Sequence, residues 1–128
     1  MISSKSIYRE LAVNYSNLSK KKTSYLDSIN KLIKQNVPKK INYYFDAGGG
    51  DGVRTLDISK KIGANYTVLV DNSEEMIKIA KTKDINEVHC QDIATYSSSK
   101  KFDLITSLWN VFGHMSSRKE RLDSLINL

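Results

Sequence analysis

Ten residues, Tyr43-Tyr44-Phe45-Asp46-Ala47-Gly48-Gly49-Gly50-Asp51-Gly52, constrain the fold of this chain more than any other stretch. An apolar, aromatic run ends in an acid. Glycines follow at alternate positions, Gly48, Gly50 and Gly52, before apolar residues at helical spacing open at Val53. The pattern predicts strand, tight turn, helix. Glycines suit a turn on which the flat or charged part of a ligand lies almost against the backbone, because a Cβ there would block the approach.

Such a turn points to a nucleotide-like cofactor, and the acids decide which kind. A dinucleotide fingerprint places a third glycine three residues after the second, where this chain has Val53. Asp46 at the strand end and Asp51 in the turn would also face a diphosphate with like charge. S-adenosylmethionine suits the site better, since it has no phosphate and carries a cationic sulfonium and an α-ammonium. The stretch resembles motif I of the class I S-adenosylmethionine-dependent methyltransferases, acid-x-Gly-x-Gly-x-Gly after a strand.

A chain of 128 residues with 40% hydrophobic and 27% charged residues fits one soluble domain with one core. No run of about 18 apolar residues suggests a transmembrane helix, and Met1-Ile2-Ser3-Ser4-Lys5 lacks the apolar core of a secretory signal. Cys90, the single cysteine, agrees with a reducing compartment, so a cytoplasmic location is expected. The net charge of +6 is concentrated at one end. Residues 1–40 hold nine Lys or Arg against Glu10 and Asp27, whereas residues 41–128 hold eleven bases against twelve acids. Lys20-Lys21-Lys22 and Lys39-Lys40 could meet an anion, but no aromatic-interleaved basic stripe accompanies them, and nucleic acid is not expected as a partner.

Ile7, Leu11, Tyr15 and Leu18 have helical spacing, as do Tyr25, Leu26, Ile29, Leu32 and Ile33, with Pro38 ending the second helix. Residues 1–40 therefore read as a helical cap or lid, and residues 41–128 as the ligand-binding domain. Val53, Leu56, Ile58 and Ile62 predict a helix stopped by Gly63. Tyr66-Thr67-Val68-Leu69-Val70 reads as a strand buried on both faces and ending at Asp71. Asn72 is read as the cap of the next helix, with Glu75 completing a capping box and Met76, Ile77 and Ala80 on its apolar face. Val88-His89-Cys90 is a short third strand ending at Gln91-Asp92, and Phe102 to Ser107 a fourth. Ser117 and Glu120 form a second capping box before Leu122, Leu125, Ile126 and Leu128. Alternating strands and helices mean an α/β fold with a parallel sheet, in which ligands bind beyond the carboxyl ends of the strands. Asp46, Asp71, Asp92 and the Leu108-Trp109-Asn110 loop all fall at those ends.

The methyltransferase resemblance extends from Tyr15 to Leu128. It implies a Rossmann-like sheet of order 3-2-1-4 with helices on both faces. It also implies that Asp46, Ala47, Gly48 and Gly50 form the cofactor loop, that Asp71 lies at the ribose, that Met76, Asp92 and Ile93 lie around the adenine, and that Asn72 and Leu108 also bind the cofactor. Val70-Asp71-Asn72-Ser73-Glu74-Glu75-Met76 is similar to the family's second-strand segment. Phe102-Asp103-Leu104-Ile105 and the residues after Leu108 look like its fourth strand and the loop over the reacting methyl group. Tyr8 and Tyr15 resemble tyrosines that reach the cofactor from an N-terminal helix. Trp109, Asn110 and His114 are the substrate candidates, with His114 the candidate base; no metal site is expected. An Asn-Pro-Pro-Tyr motif is absent after the fourth strand, which favours a small-molecule acceptor over a nucleic acid.

Family members continue with a fifth, sixth and seventh strand. The chain is therefore expected to be truncated, with its fourth strand an open edge prone to self-association. The expected function is methyl transfer from S-adenosylmethionine to a small molecule. The alternatives are a non-catalytic cofactor-binding remnant or regulatory module and, disfavoured by Val53 and the acids, a nicotinamide-dependent oxidoreductase.

Overall fold

The computed structural model of the chain describes residues 7, 9–12, 14, 15, 17 and 22–128. Residues 7, 9–12, 14, 15 and 17 are helical, in keeping with the spacing of Ile7, Leu11 and Tyr15; Tyr8, Leu18 and Lys20-Lys21 lie outside the described residues. Helix α1 spans Thr23–Asn36 and stops because Val37 precedes Pro38 and adopts an extended backbone (φ −89°, ψ 156°). Strand β1 (Tyr43–Ala47), helix α2 (Val53–Ile62), strand β2 (Tyr66–Asp71), helix α3 (Glu74–Ala80) and strand β3 (Glu87–Cys90) follow. Strand β4 (Leu104–Thr106), a 3₁₀ turn (Val111–His114) and helix α4 (Arg118–Asn127) complete the described elements.

All three strand pairings are parallel, in the order β3-β2-β1-β4 that the resemblance implied. The period of two along each strand sorts the core. Tyr44 packs with Ile41 and Ile58 on the α1–α2 side, and Leu69 with Ile77 and Ala80 of α3. Phe45, Ala47, Val68 and Val70 face the other side, against Ile93, Tyr96, Met115 and Leu128. Burial of each large apolar side chain there is worth about 1.5–3 kcal/mol. A surface pair such as Lys61–Asp57 (2.8 Å) is worth about 0–1 kcal/mol. The β1–β2 centre therefore dominates stability.

Three local expectations are corrected. The cap of α3 is Ser73, not Asn72: Asp71 Oδ1 accepts the Ser73 N–H (2.9 Å), and this turn delivers Ser73 Oγ to the Met76 N–H (3.4 Å). Ser117 does cap α4, but the Glu120 carboxylate returns to the N–H and hydroxyl of Ser116 (2.7 and 2.8 Å), one residue earlier than the expected box. Strand β4 is also shorter than Phe102 to Ser107. The Phe102 ring packs on Phe45 (centroids 4.9 Å), and the Asp103 carboxylate accepts the N–H groups of Asn42 and Tyr43 (2.7 and 2.9 Å). No described helix is long and apolar enough to cross a membrane.

Candidate functional site

A cleft partly open to solvent lies across the carboxyl ends of the four strands. Its floor is the glycine loop, where Gly48, Gly50 and Gly52 have φ of 75°, 58° and 76°. Gly48 N–H bonds to Val70 O (2.7 Å) and Gly50 N–H to Asp71 Oδ2 (2.9 Å), so the loop is pinned to β2. The glycines have different work. A Cβ on Gly48 would fall 2.5 Å from Val111 Cγ2, and one on Gly49 2.7 Å from Leu69, whereas one on Gly50 would meet no protein atom within 4 Å. Gly50 therefore leaves room in the cleft, while its neighbours make room for packing.

Asp71 closes β2 with both oxygens accepting backbone N–H groups, Oδ2 from Gly50 and Oδ1 from Ser73. Burial pushes its pKa up against those bonds. Asn72 and the buried Met76 line the cleft beside it, and Gln91, Asp92 and Ile93 line it beyond β3. Asp92 Oδ1 accepts the Ala94 N–H (2.9 Å), and its carbonyl accepts from Thr95 and Tyr96, which holds the acid in a turn.

The opposite wall follows β4. Leu108, Trp109, Val111, His114 and Met115 contribute to it, together with Glu120 of α4 and Tyr15 of the N-terminal helical residues. Trp109 (φ 65°) and Asn110 (φ 60°) are consecutive left-handed residues, a conformation costly for a bulky side chain. Lys22 Nζ lies 5.0 Å from the Trp109 ring centre, Arg54 Cζ 5.5 Å, and the Tyr25 ring 6.0 Å. The bonds from Ser116 hold the Glu120 carboxyl below the usual carboxylate range, so the cleft has an ionised acid at this rim.

The cleft thus unites Tyr15, Gly48, Gly50, Asp71, Asn72, Met76, Asp92, Ile93, Leu108, Trp109 and His114. Three sequence candidates lie off its lining. Asp46 is fully enclosed beneath the glycine loop, accepting the hydroxyls of Thr55 (2.6 Å) and Thr106 (2.7 Å), while Tyr44 and Thr106 share a further hydroxyl bond (2.8 Å). Burial raises its pKa against those bonds. Ala47 is core, and the Asn110 side chain lies over Gly113, where a Cβ would come within 2.1 Å of its Oδ1. Gln91, Val111, Met115 and Glu120 are lining residues that the sequence reading missed. Gln91 adjoins a recognised strand-end acid, Glu120 reads as a capping residue alone, and Val111 and Met115 reach the cleft through a turn with no periodic signal. Among the described residues no three His, Cys, Asp or Glu side chains cluster as a metal site.

Chemically, apolar Met76 and Ile93 with flanking carboxylates can take a flat heteroaromatic ring and hydroxyl donors, and the Gly50 backbone can take a chain laid against it. A sequence model of the methyltransferase domain family matches residues 45–127. No curated protein matches significantly. Among solved structures, the plantazolicin methyltransferase BpumL in complex with SAH shares 28% identity with a TM-score of 0.72, covering 98% of this chain and 49% of that one. An S-adenosylmethionine-dependent methyltransferase from Clostridium acetobutylicum shares 25% identity (TM-score 0.69; 92% and 50% covered). A TehB-like SAM-dependent methyltransferase from Corynebacterium glutamicum, at 24% identity and TM-score 0.71, shares the fold (93% and 65% covered). The chain spans about half the length of the first two, 49% and 50%.

Proposed function

This chain belongs to the methyltransferase domain family, and from that premise we propose that it carries the S-adenosylmethionine-binding half of an enzyme that methylates a small molecule. The observation that carries this reading is the Asp71 carboxylate, held at the end of β2 between Gly50, which leaves open space ahead of it, and Met76. A dinucleotide would place its diphosphate over a loop that holds Asp51 and has Val53 where the third glycine belongs. That BpumL was solved with SAH agrees with this choice of cofactor.

In this reading Asp71 accepts the ribose hydroxyls, Met76 and Ile93 sandwich the adenine, and Asp92 accepts from its amino group. Gly48, Gly50 and Tyr15 border the amino-acid end. When bound, S-adenosylmethionine supplies a methyl group activated on a sulfonium. The protein's part is then to orient the acceptor and exclude water, which falls to Leu108, Trp109 and His114, with His114 taking a proton from an oxygen or nitrogen acceptor. Asp46 acts at one remove, bracing β1, β4 and α2 through the two threonines. The N-terminal helical residues and α1 act as the lid, since Tyr15 and Tyr25 reach the cleft or its Trp109 wall. Cys90, exposed and unpaired, fits a cytoplasmic setting.

The test is calorimetry with S-adenosylmethionine, S-adenosylhomocysteine and NAD side by side. Binding of the first two and not the third is expected; NAD binding without either would replace this reading with a nicotinamide one.

A further inference from the structure

Arg54, in the first turn of α2, is a charged side chain that the reading above leaves without a task. Its Nε and Nη2 are buried and have no hydrogen-bond partner among the described residues. A guanidinium is always charged, and burying its donors unpaired is costly. The acid with which it interacts is Asp46, whose two oxygens are already occupied by Thr55 and Thr106, and no ion pair forms between them. Burial draws the Arg54 pKa down, the mark of a cation short of compensation.

A second cation adds to the imbalance. The Lys22 ammonium lies 5.0 Å from the Trp109 ring centre and the Arg54 guanidinium 5.5 Å from it, and no described acid pairs with Lys22. Each cation gains from the ring. Together they make a positive corner behind Trp109: Trp109 and Tyr15 line the cleft, whereas Arg54 and Lys22 stand off its lining, so a ligand reaches them past the indole. The corner lies at the β4 end of the sheet, the far edge from β3 and Asp92. Arg54's planar donor fork fits two oxygens of one anion. The buried Asp46, two residues before Gly48, opposes a dianion such as phosphate more than a singly charged group.

We propose that Arg54, assisted by Lys22, recognises a carboxylate that enters behind Trp109, at that end of the cleft. The inference rests on the cofactor reading for its location. The carboxylate is that of the cofactor's amino-acid end or one on the methyl acceptor, and the two sources can be separated. Trp109 is the single tryptophan, so its fluorescence reports on this corner directly.

The experiment compares the whole chain with Arg54→Met and Arg54→Lys, each checked by melting. The probes are S-adenosylhomocysteine, 5′-methylthioadenosine, which keeps the adenosine and thioether but lacks the carboxylate, and sodium benzoate. If the cofactor supplies the carboxylate, Arg54→Met weakens S-adenosylhomocysteine binding by about tenfold or more and changes methylthioadenosine binding by less than about twofold. If the acceptor supplies it, both nucleoside affinities stay the same, and benzoate shifts Trp109 fluorescence saturably in the S-adenosylhomocysteine-loaded parent but not in Arg54→Met. Either pattern supports the proposal. Identical titrations of all three probes in parent and variants overturn it, as do equal losses for both nucleosides without an Arg54-dependent benzoate response. Should Arg54→Met not fold, Arg54→Lys, which keeps the charge and loses the fork, decides by the same readouts. Should the parent bind neither nucleoside, the cofactor reading fails, and the benzoate titration of the ligand-free protein decides alone: an Arg54-dependent response upholds the proposal and its absence overturns it.

Discussion

The two walls of the cleft are built on different principles. The wall at the ends of β1, β2 and β3 is held by backbone N–H groups, Gly48 donating to the Val70 carbonyl, Gly50 and Ser73 to the Asp71 carboxylate, and Ala94 to the Asp92 carboxylate. The wall after β4 hangs from a strand of three residues and passes through two left-handed residues. It is set by side-chain packing, with the Arg121 guanidinium holding Met115 O (3.1 Å) and Ser124 buried beside Met115. Directional hydrogen bonds fix the first wall, whereas packing can be rearranged by substitution. We read the first wall as serving the ligand part that never changes and the second as serving the acceptor.

Gly50→Val attacks the first wall most directly. No protein atom stands within 4 Å of the new Cβ, so the fold should lose only the strain of a left-handed β-branched residue, about 1–2 kcal/mol. Calorimetry should find no binding of S-adenosylhomocysteine. Retained affinity would reduce the glycine loop to a turn.

Asp71→Ala should weaken the same ligand by about 1.5–3 kcal/mol, the range for hydrogen bonds to a charged group. It should leave a folded protein, although the Gly50 and Ser73 N–H groups lose their acceptor. A folded variant that titrates like the parent would take Asp71 out of the site.

The β3 edge of the sheet, from whose far end the first wall rises, should show itself in acid. Bonds from Lys100, then Tyr66 and His89, lower the Glu87 pKa to about 2. A depressed carboxylate contributes stability above its unfolded pKa and loses it as pH falls toward its folded one, here between about 4.5 and 2. Glu87→Gln should flatten melting temperature against pH in that window. Because Lys100 and His89 are partly exposed, the effect is about 1 kcal/mol. Parallel curves for parent and variant would mean that the edge is held by packing.

The smallest effect belongs to the second wall. Asn110→Gly places a glycine at φ 60° and should stabilise the protein by about 0.5 kcal/mol in denaturant titrations. The affinity for S-adenosylhomocysteine should not change, because Asn110 lies off the lining. A loss of affinity would put Asn110 back in the site.

The same contrast governs what could be read from sequence. Strand-end acids are legible because alternation and β-branched runs locate the strand ends, and Asp71 and Asp92 follow from them. The orientation of Asp46 was available too: it shares the Tyr44 face of β1, toward α2, whereas Phe45 and Ala47 face the other side. The shift from Asn72 to Ser73 was not readable, since both are cap formers and only the Asp71 turn chooses between them. Nor was the Trp109-Asn110 conformation, because tryptophan has no local preference for left-handed backbone and tertiary packing imposes it. Arg54 looked like any polar residue in a helix's first turn until its surroundings were known.

The two walls meet at a missing methyl group. Val111 sits so close to Gly48 that a Cβ there would lie 2.5 Å from its Cγ2. The gap between walls is therefore metered by one spacer pair, a hydrogen on one side and a valine on the other. Val111→Ala would let the second wall settle inward, and Val111→Phe would wedge it outward, so the width of the cleft is tuned there with the hydrogen bonds of the first wall untouched.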